Sequence, residues 1–208
     1  MTSGSAVRRQ AEREQKLEEV RAVQRAAERK RTLAIRIGGL VLFLGVIGLV
    51  VAALLSSRPV VDDEATEATP FTLPTSDGGT VSLSDYAGEP VVLFFSEGAG
   101  CYACLLQMAE IEKEPGFAEA GISVLPIVMN TAEQINADRE RLGVTTPFAL
   151  DDGTISGAYG TLGTGMHEGL PGHGFILIDA DGVQRWSGNY PSMFIEPSEL
   201  LDIVKANL

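Results

Sequence analysis

Cys101 and Cys104 are the only two cysteines of the 208-residue chain, spaced Cys-Tyr-Ala-Cys. Two thiols three residues apart can close a disulfide and reopen it, the elementary step of thiol redox chemistry. Their setting favours that use. The run Val91-Val92-Leu93-Phe94-Phe95 is short, continuous and β-branched or aromatic, which predicts a buried strand. Ser96 to Gly100 is a glycine-rich loop, and Leu105 to Ile111 has helical spacing. A thiol at the start of that helix faces unpaired N–H groups and the positive end of the dipole, both of which favour thiolate. A static disulfide and a pair of inert buried thiols are the competing readings. Glu97, in the loop, is expected to be a solvated carboxylate.

The elements that would carry the pair alternate between strand and helix. Phe71–Pro74 and Thr80–Leu83 flank Asp77-Gly78-Gly79, a hairpin signal, and Ser84–Gly88 reads as a turn or short helix. Beyond the cysteines, Ile122–Val128 is a second apolar run, and Thr131–Leu142 is a helix opening on Thr131. Pro147–Leu150 leads into Asp151-Asp152-Gly153 and a short helix over Ile155–Tyr159. Phe175–Ile178 is a strand that turns at Asp179–Gly182 into Val183–Trp186, and Ser198–Leu208 is a closing helix with Ser198 as its cap. Strands alternating with helices indicate an α/β sheet.

Ahead of this domain the chain changes character twice. Residues 1–36 carry ten Lys/Arg against five Glu, in a background of good helix formers, and are expected to form a solvated, partly helical tail. Residues 37–57 hold no charge and match the ~20 residues a helix needs to cross a bilayer. Five basic residues lie between Arg25 and Arg36, against Arg58 alone beyond the span. The positive-inside rule then places the N-terminus in the cytoplasm and the C-terminal domain outside the cell membrane. A cleaved signal peptide fits less well, since its charged region is short and its apolar core runs ~7–15 residues. Residues 58–70 read as an acidic linker and 71–208 as one domain. From Arg58 on, six basic residues face 23 acidic ones within a total net charge of −12. So acidic a domain does not bind nucleic acid through its phosphates.

At this point the residues resemble a known family. Phe71-Thr72-Leu73-Pro74, Gly79-Thr80-Val81-Ser82-Leu83-Ser84-Asp85-Tyr86 and Gly88-Glu89-Pro90-Val91-Val92-Leu93-Phe94-Phe95 resemble the opening of the peroxiredoxin and redoxin branch of the thioredoxin superfamily. Phe148–Gly153 with Ala158-Tyr159-Gly160, and Gly174–Gly182, are similar to that branch's closing segments. The resemblance implies a thioredoxin-like fold, a central mixed sheet flanked by helices, here preceded by one transmembrane helix. It implies a membrane-tethered thiol–disulfide oxidoreductase or peroxiredoxin-like antioxidant. Its substrate would be a protein dithiol or disulfide, or a peroxide, with a membrane electron donor and no cofactor.

The resemblance assigns the thiols in two ways. On the thioredoxin pattern Cys101 attacks and Cys104 resolves; on the peroxiredoxin pattern Cys104 attacks and Cys101 stands where that family has Thr. Gly100 replaces the usual Trp, Leu93 the buried acid, and His173 the cis-proline or the active-site Arg. His173 is therefore the third candidate catalytic residue. Protonated near neutral pH, it would add to the stabilisation of a thiolate. The alternative is a thioredoxin-fold copper chaperone, in which the pair joins a distal histidine, His173 or His167, around a soft metal. A third class is an interaction domain whose disulfide staples the loop, with Trp186, Tyr190, Met193 and Phe194 as an apolar patch or as core.

Overall fold

The computed structural model describes residues 3–165 and 167–208. These form two units, Met1–Leu55 and Ser56–Leu208. The first is a single helix, α1 (Ser3–Ser56). Ala, Glu, Arg and Leu support it throughout, and it stops just before Pro59, whose ring disfavours helical backbone in the preceding residue. Within it Glu28–Ser56 is long and apolar enough to cross a membrane, an 18-residue window of it reaching a mean hydropathy of 2.8. Its described apolar side chains are exposed, Leu42 and Leu49 each by 71%. The expected tail and span are thus one continuous helix.

The second unit is built on a seven-stranded sheet and one hairpin. Its strands are β1 (Val60–Asp62), β2 (Thr66–Glu67), β3 (Thr72–Pro74), β4 (Thr80–Ser82), β5 (Val91–Phe95), β6 (Ser123–Val128), β7 (Ala149–Leu150), β8 (Gly174–Ile178) and β9 (Val183–Asn189). The sheet runs β1-β9-β8-β5-β6-β7, with β2 also on β9, while β3 and β4 pair with each other. β5 is parallel to β6 and antiparallel to β8, so the sheet is mixed. Every residue of β5 and β8 is buried, as expected of central strands covered on both faces.

The helices are α2 (Tyr102–Ile111), α3 (Pro115–Glu119), α4 (Ala132–Leu142), α5 (Thr154–Ala158) and α6 (Pro197–Ala206). Thr131 caps α4 in a reciprocal box with Gln134, as its sequence predicts. Two expectations change. The closing helix starts at Pro197 with Glu196 at its cap, not at Ser198, because proline's fixed φ suits the first helical position. The stretch 58–70 is not a free linker: β1 and β2 pair with β9, and the Ala68 N–H bonds the Gly182 carbonyl. An uncovered sheet edge offers unpaired backbone groups, and this β-branched segment takes them.

Side chains alternate between two core layers. Val92, Phe94, Phe175 and Leu177 join α2, Phe117, Ile135 and α6 on one face. Leu93, Phe95, Ile176 and Ile178 join Phe71 and Leu73 on the other. Trp186 and Tyr190 are core residues and Met193 packs against the first layer, so no separate patch forms from them.

Candidate functional site

The β5 strand ends at Phe95 and delivers the chain to the Cys loop. Gly98 turns it with φ +74°, where a Cβ would run into Asn130 and Val128. The Asn130 side chain accepts the Ala99 N–H at 2.8 Å, and the Asp138 carboxylate accepts the Gly100 N–H, also at 2.8 Å. The loop's backbone donors are thereby tied to the turn before α4 and to α4 itself. Cys101 is the N-cap of α2, and its Sγ accepts the Cys104 N–H at 3.2 Å. A sulfur carrying negative charge there would keep that donor and the positive end of the helix dipole.

Cys101 and Cys104 are joined as a disulfide with Cα atoms 5.3 Å apart. Their environments differ sharply. Cys104 is 0% exposed, whereas Cys101 is only partly buried and is followed by Tyr102, which is 60% exposed. Cys104 belongs to the core, while Cys101 packs at its edge and is partly exposed.

His173 sits at the entry to β8, 1% exposed, with its ring edge-on to Phe94 at 4.9 Å and to Phe175 at 5.6 Å. Burial pulls its pKa down to about 4, since an imidazolium loses its hydration there. The expectation of a protonated His173 near neutral pH is therefore corrected: the ring is neutral and adds no positive charge to the site. Its Nε2 lies 3.4 Å from Oε1 of Gln107, a fully buried amide on α2 that sequence reasoning missed. A lone amide inside Leu105-Leu106-Gln107-Met108-Ala109, three residues after Cys104, was the available signal.

Glu97 is also corrected. It is 5% exposed, not solvated, with Gly165 and His167 against it. One carboxylate oxygen accepts the His167 N–H at 3.2 Å and the other lies 2.8 Å from His167 Nδ1. Gly165 permits this approach, as a Cβ there would meet Glu97 Oε1 at 2.9 Å. His167 itself is 63% exposed. The two histidines thus face different partners. Among the described residues no group of three or more His, Cys, Asp or Glu could hold a metal ion.

Residues 65–187, more than half the chain and spanning both cysteines and His173, match the AhpC/TSA family. A Mycobacterium tuberculosis protein provisionally named a peroxiredoxin is 33% identical over 122 residues, covering 56% of this chain and 78% of its own. Peroxiredoxin Bcp of Escherichia coli is 30% identical over 119 residues, 54% of this chain and 76% of that one. Neither is related to a metal chaperone by name, and nothing among these relatives supports that alternative. The fold superposes on peroxidoxin BcpB of Mycobacterium tuberculosis with a TM-score of 0.60 at 21% identity, covering 69% of this chain and 97% of that chain. The chain therefore belongs to the AhpC/TSA family: it is a peroxiredoxin-like enzyme of the thioredoxin superfamily, of the peroxidase or thiol oxidoreductase kind.

Proposed function

We propose that Cys101 and Cys104 are the redox centre, with Cys101 the sulfur that exchanges with substrate and Cys104 the internal partner that resolves it. The single observation carrying this reading is the unequal burial of the two cysteines across one disulfide. A substrate thiolate reaches Cys101 Sγ from the surface; the Cys101–Cys104 bond breaks, and Cys104 leaves as thiolate and takes a proton. In the reverse direction a Cys101 thiolate attacks a disulfide or a peroxide oxygen. With peroxide the product is a Cys101 sulfenic acid plus water or alcohol, and Cys104 condenses with it to restore the disulfide and release water. A dithiol donor then reduces the pair.

The reading includes tethering to the cell membrane through Glu28–Ser56, with the N-terminus in the cytoplasm and the redox unit outside. An exposed helix with an 18-residue stretch of mean hydropathy 2.8 supports this, because water solvates such a surface poorly, and so do the basic residues ahead of it. A membrane-borne dithiol would supply the electrons there.

The test uses the full chain in lipid nanodiscs, with Cys104→Ser and Cys101→Ser compared after hydrogen peroxide and a sulfenate-specific probe. Labelling at Cys101 in Cys104→Ser, with Cys101→Ser unlabelled, is the expected result. Labelling of Cys104 in Cys101→Ser alone would assign attack to Cys104, as the peroxiredoxin pattern has it, and overturn this reading.

A further inference from the structure

The Gln107 amide pairs both ways with the backbone of Ile195. Its Nε2 donates to the Ile195 carbonyl at 2.9 Å, and its Oε1 accepts the Ile195 N–H at 2.8 Å. This double pairing decides which end of the amide is the oxygen. The same oxygen lies 3.4 Å from His173 Nε2. An amide oxygen only accepts, so Nε2 carries the imidazole proton and Nδ1 holds the lone pair. That Nδ1 is buried and, among the described residues, has no hydrogen-bond partner, and the same holds for Ser96 Oγ. Continuing the β5–β8 register one step past Phe95 and Gly174 sets Ser96 opposite His173. Unpaired buried polar atoms are costly and uncommon, and a chemical role is one reason for a protein to keep one.

The link from this base to the redox pair runs through α2, whose Gln107 lies against the His173 ring. Cys104 is one turn ahead of Gln107 on the same face of α2. It packs in the core cluster that contains Phe94 and Phe175, the two rings against His173. We propose that His173 is the general base for the Cys104 thiol and that Gln107 is the positioning residue that keeps the Nδ1 lone pair available. This rests on the exchange reading, in which Cys104 resolves. Nδ1 takes the proton of the Cys104 thiol as its sulfur attacks Cys101 Sγ in the mixed disulfide. The bond between Cys101 and the substrate sulfur breaks, the substrate leaves as a thiolate, and both cysteines end oxidised as the disulfide. The site disfavours an imidazolium, so the proton passes on to the departing thiolate or to solvent.

The titratable groups around the ring do not obscure this assignment. Burial is the only cause of its depressed pKa. Tyr190, edge-on to Phe175, is pushed up to about 12 by burial and stays neutral. Glu97, beside Ser96, is engaged by His167. Among the buried residues of α2, Cys104 is the titratable one.

The experiment follows the reduced full chain in nanodiscs with an aromatic nitrobenzoate disulfide, whose released thiolate is coloured. The first release reports attack by one cysteine and the second reports resolution by the other. Wild type should give two releases, the second with a rate that is flat between about pH 5.5 and 7.5, because an internal base is already in place. In His173→Leu the second release should slow about 100-fold at neutral pH and rise about tenfold per pH unit, as hydroxide replaces the base. Gln107→Leu should show the same pH signature. A second release in His173→Leu that keeps its speed and flat profile overturns the proposal. If instead Cys104→Ser, not Cys101→Ser, loses the first release, it is the exchange reading that fails. A nitrogen-edited NMR spectrum of wild-type His173 needs no variant: a protonated Nε2 with a bare Nδ1 is expected, and a protonated Nδ1 overturns the proposal.

Discussion

The two faces of the central sheet are equally buried and differ in what they bury. The face of Leu93, Phe95, Ile176 and Ile178 is filled by Phe71, Leu73, Leu125 and Ile127, with Tyr86 and Tyr159 at its margin, where the Tyr159 hydroxyl donates to the Thr69 carbonyl. The face of Phe94 and Phe175 holds Cys104 in its core, with Gln107 and His173 against it. The first face obtains stability chiefly from packing. The second accepts an amide, an imidazole and a thiol in the same kind of space, where each polar group costs free energy unless it is paired. The lesson is that the site is a local exception in a core that is otherwise ordinary, and that the apolar face carries its cost.

The largest effect that could break this division comes from the apolar side. Leu93→Ala should lose about 3 kcal/mol of stability by opening a cavity in β5. The rate of Cys101 alkylation in the folded protein should stay within about threefold of wild type. Denaturant unfolding followed by Trp186, the one tryptophan and a buried one, measures the first quantity. A larger change in alkylation would mean that the faces are coupled.

Next in size is the acid response of the polar face. His173 has a folded-state pKa of about 4, below its unfolded value of 6.5. The unfolded chain therefore binds more protons in that window, and stability falls as pH drops from about 6.5 towards 4. Between pH 7.5 and 5 the loss should be about 2 kcal/mol, and His173→Leu should remove that component. An acid response of equal size in His173→Leu would place its origin elsewhere.

The smallest effect sharpens the boundary of the site. Asn130→Ala removes the acceptor of the Ala99 N–H and should cost about 1 kcal/mol. Unlike Leu93→Ala, it should also change the pH dependence of Cys101 alkylation, because the loop that presents this sulfur loses an anchor. An unaltered profile would show that the Asp138 contact to Gly100 holds the loop alone.

The sequence carried the frame of this site well, for a physical reason. β5, β6 and β8 are contiguous apolar runs, and the helix after Cys101 follows at once, so their order is local information. What sequence reasoning missed depends on distant segments. Glu97 is buried against Gly165 and His167, the latter 70 positions along. The charge state of His173 follows from two rings on neighbouring strands, and the role of Gln107 from a pairing 88 positions away at Ile195. β1 and β2 took the edge of β9, which no local pattern announced. The unequal burial of two cysteines three residues apart is likewise a product of the folded loop.

That inequality is the centre of the account, and peptide mapping of the briefly alkylated, reduced full chain tests it most directly. Cys101 should be modified at least about tenfold faster than Cys104 at neutral pH, as an accessible thiolate at a helix N-terminus requires. Modification of Cys104 first, or of both at equal rates, would contradict it.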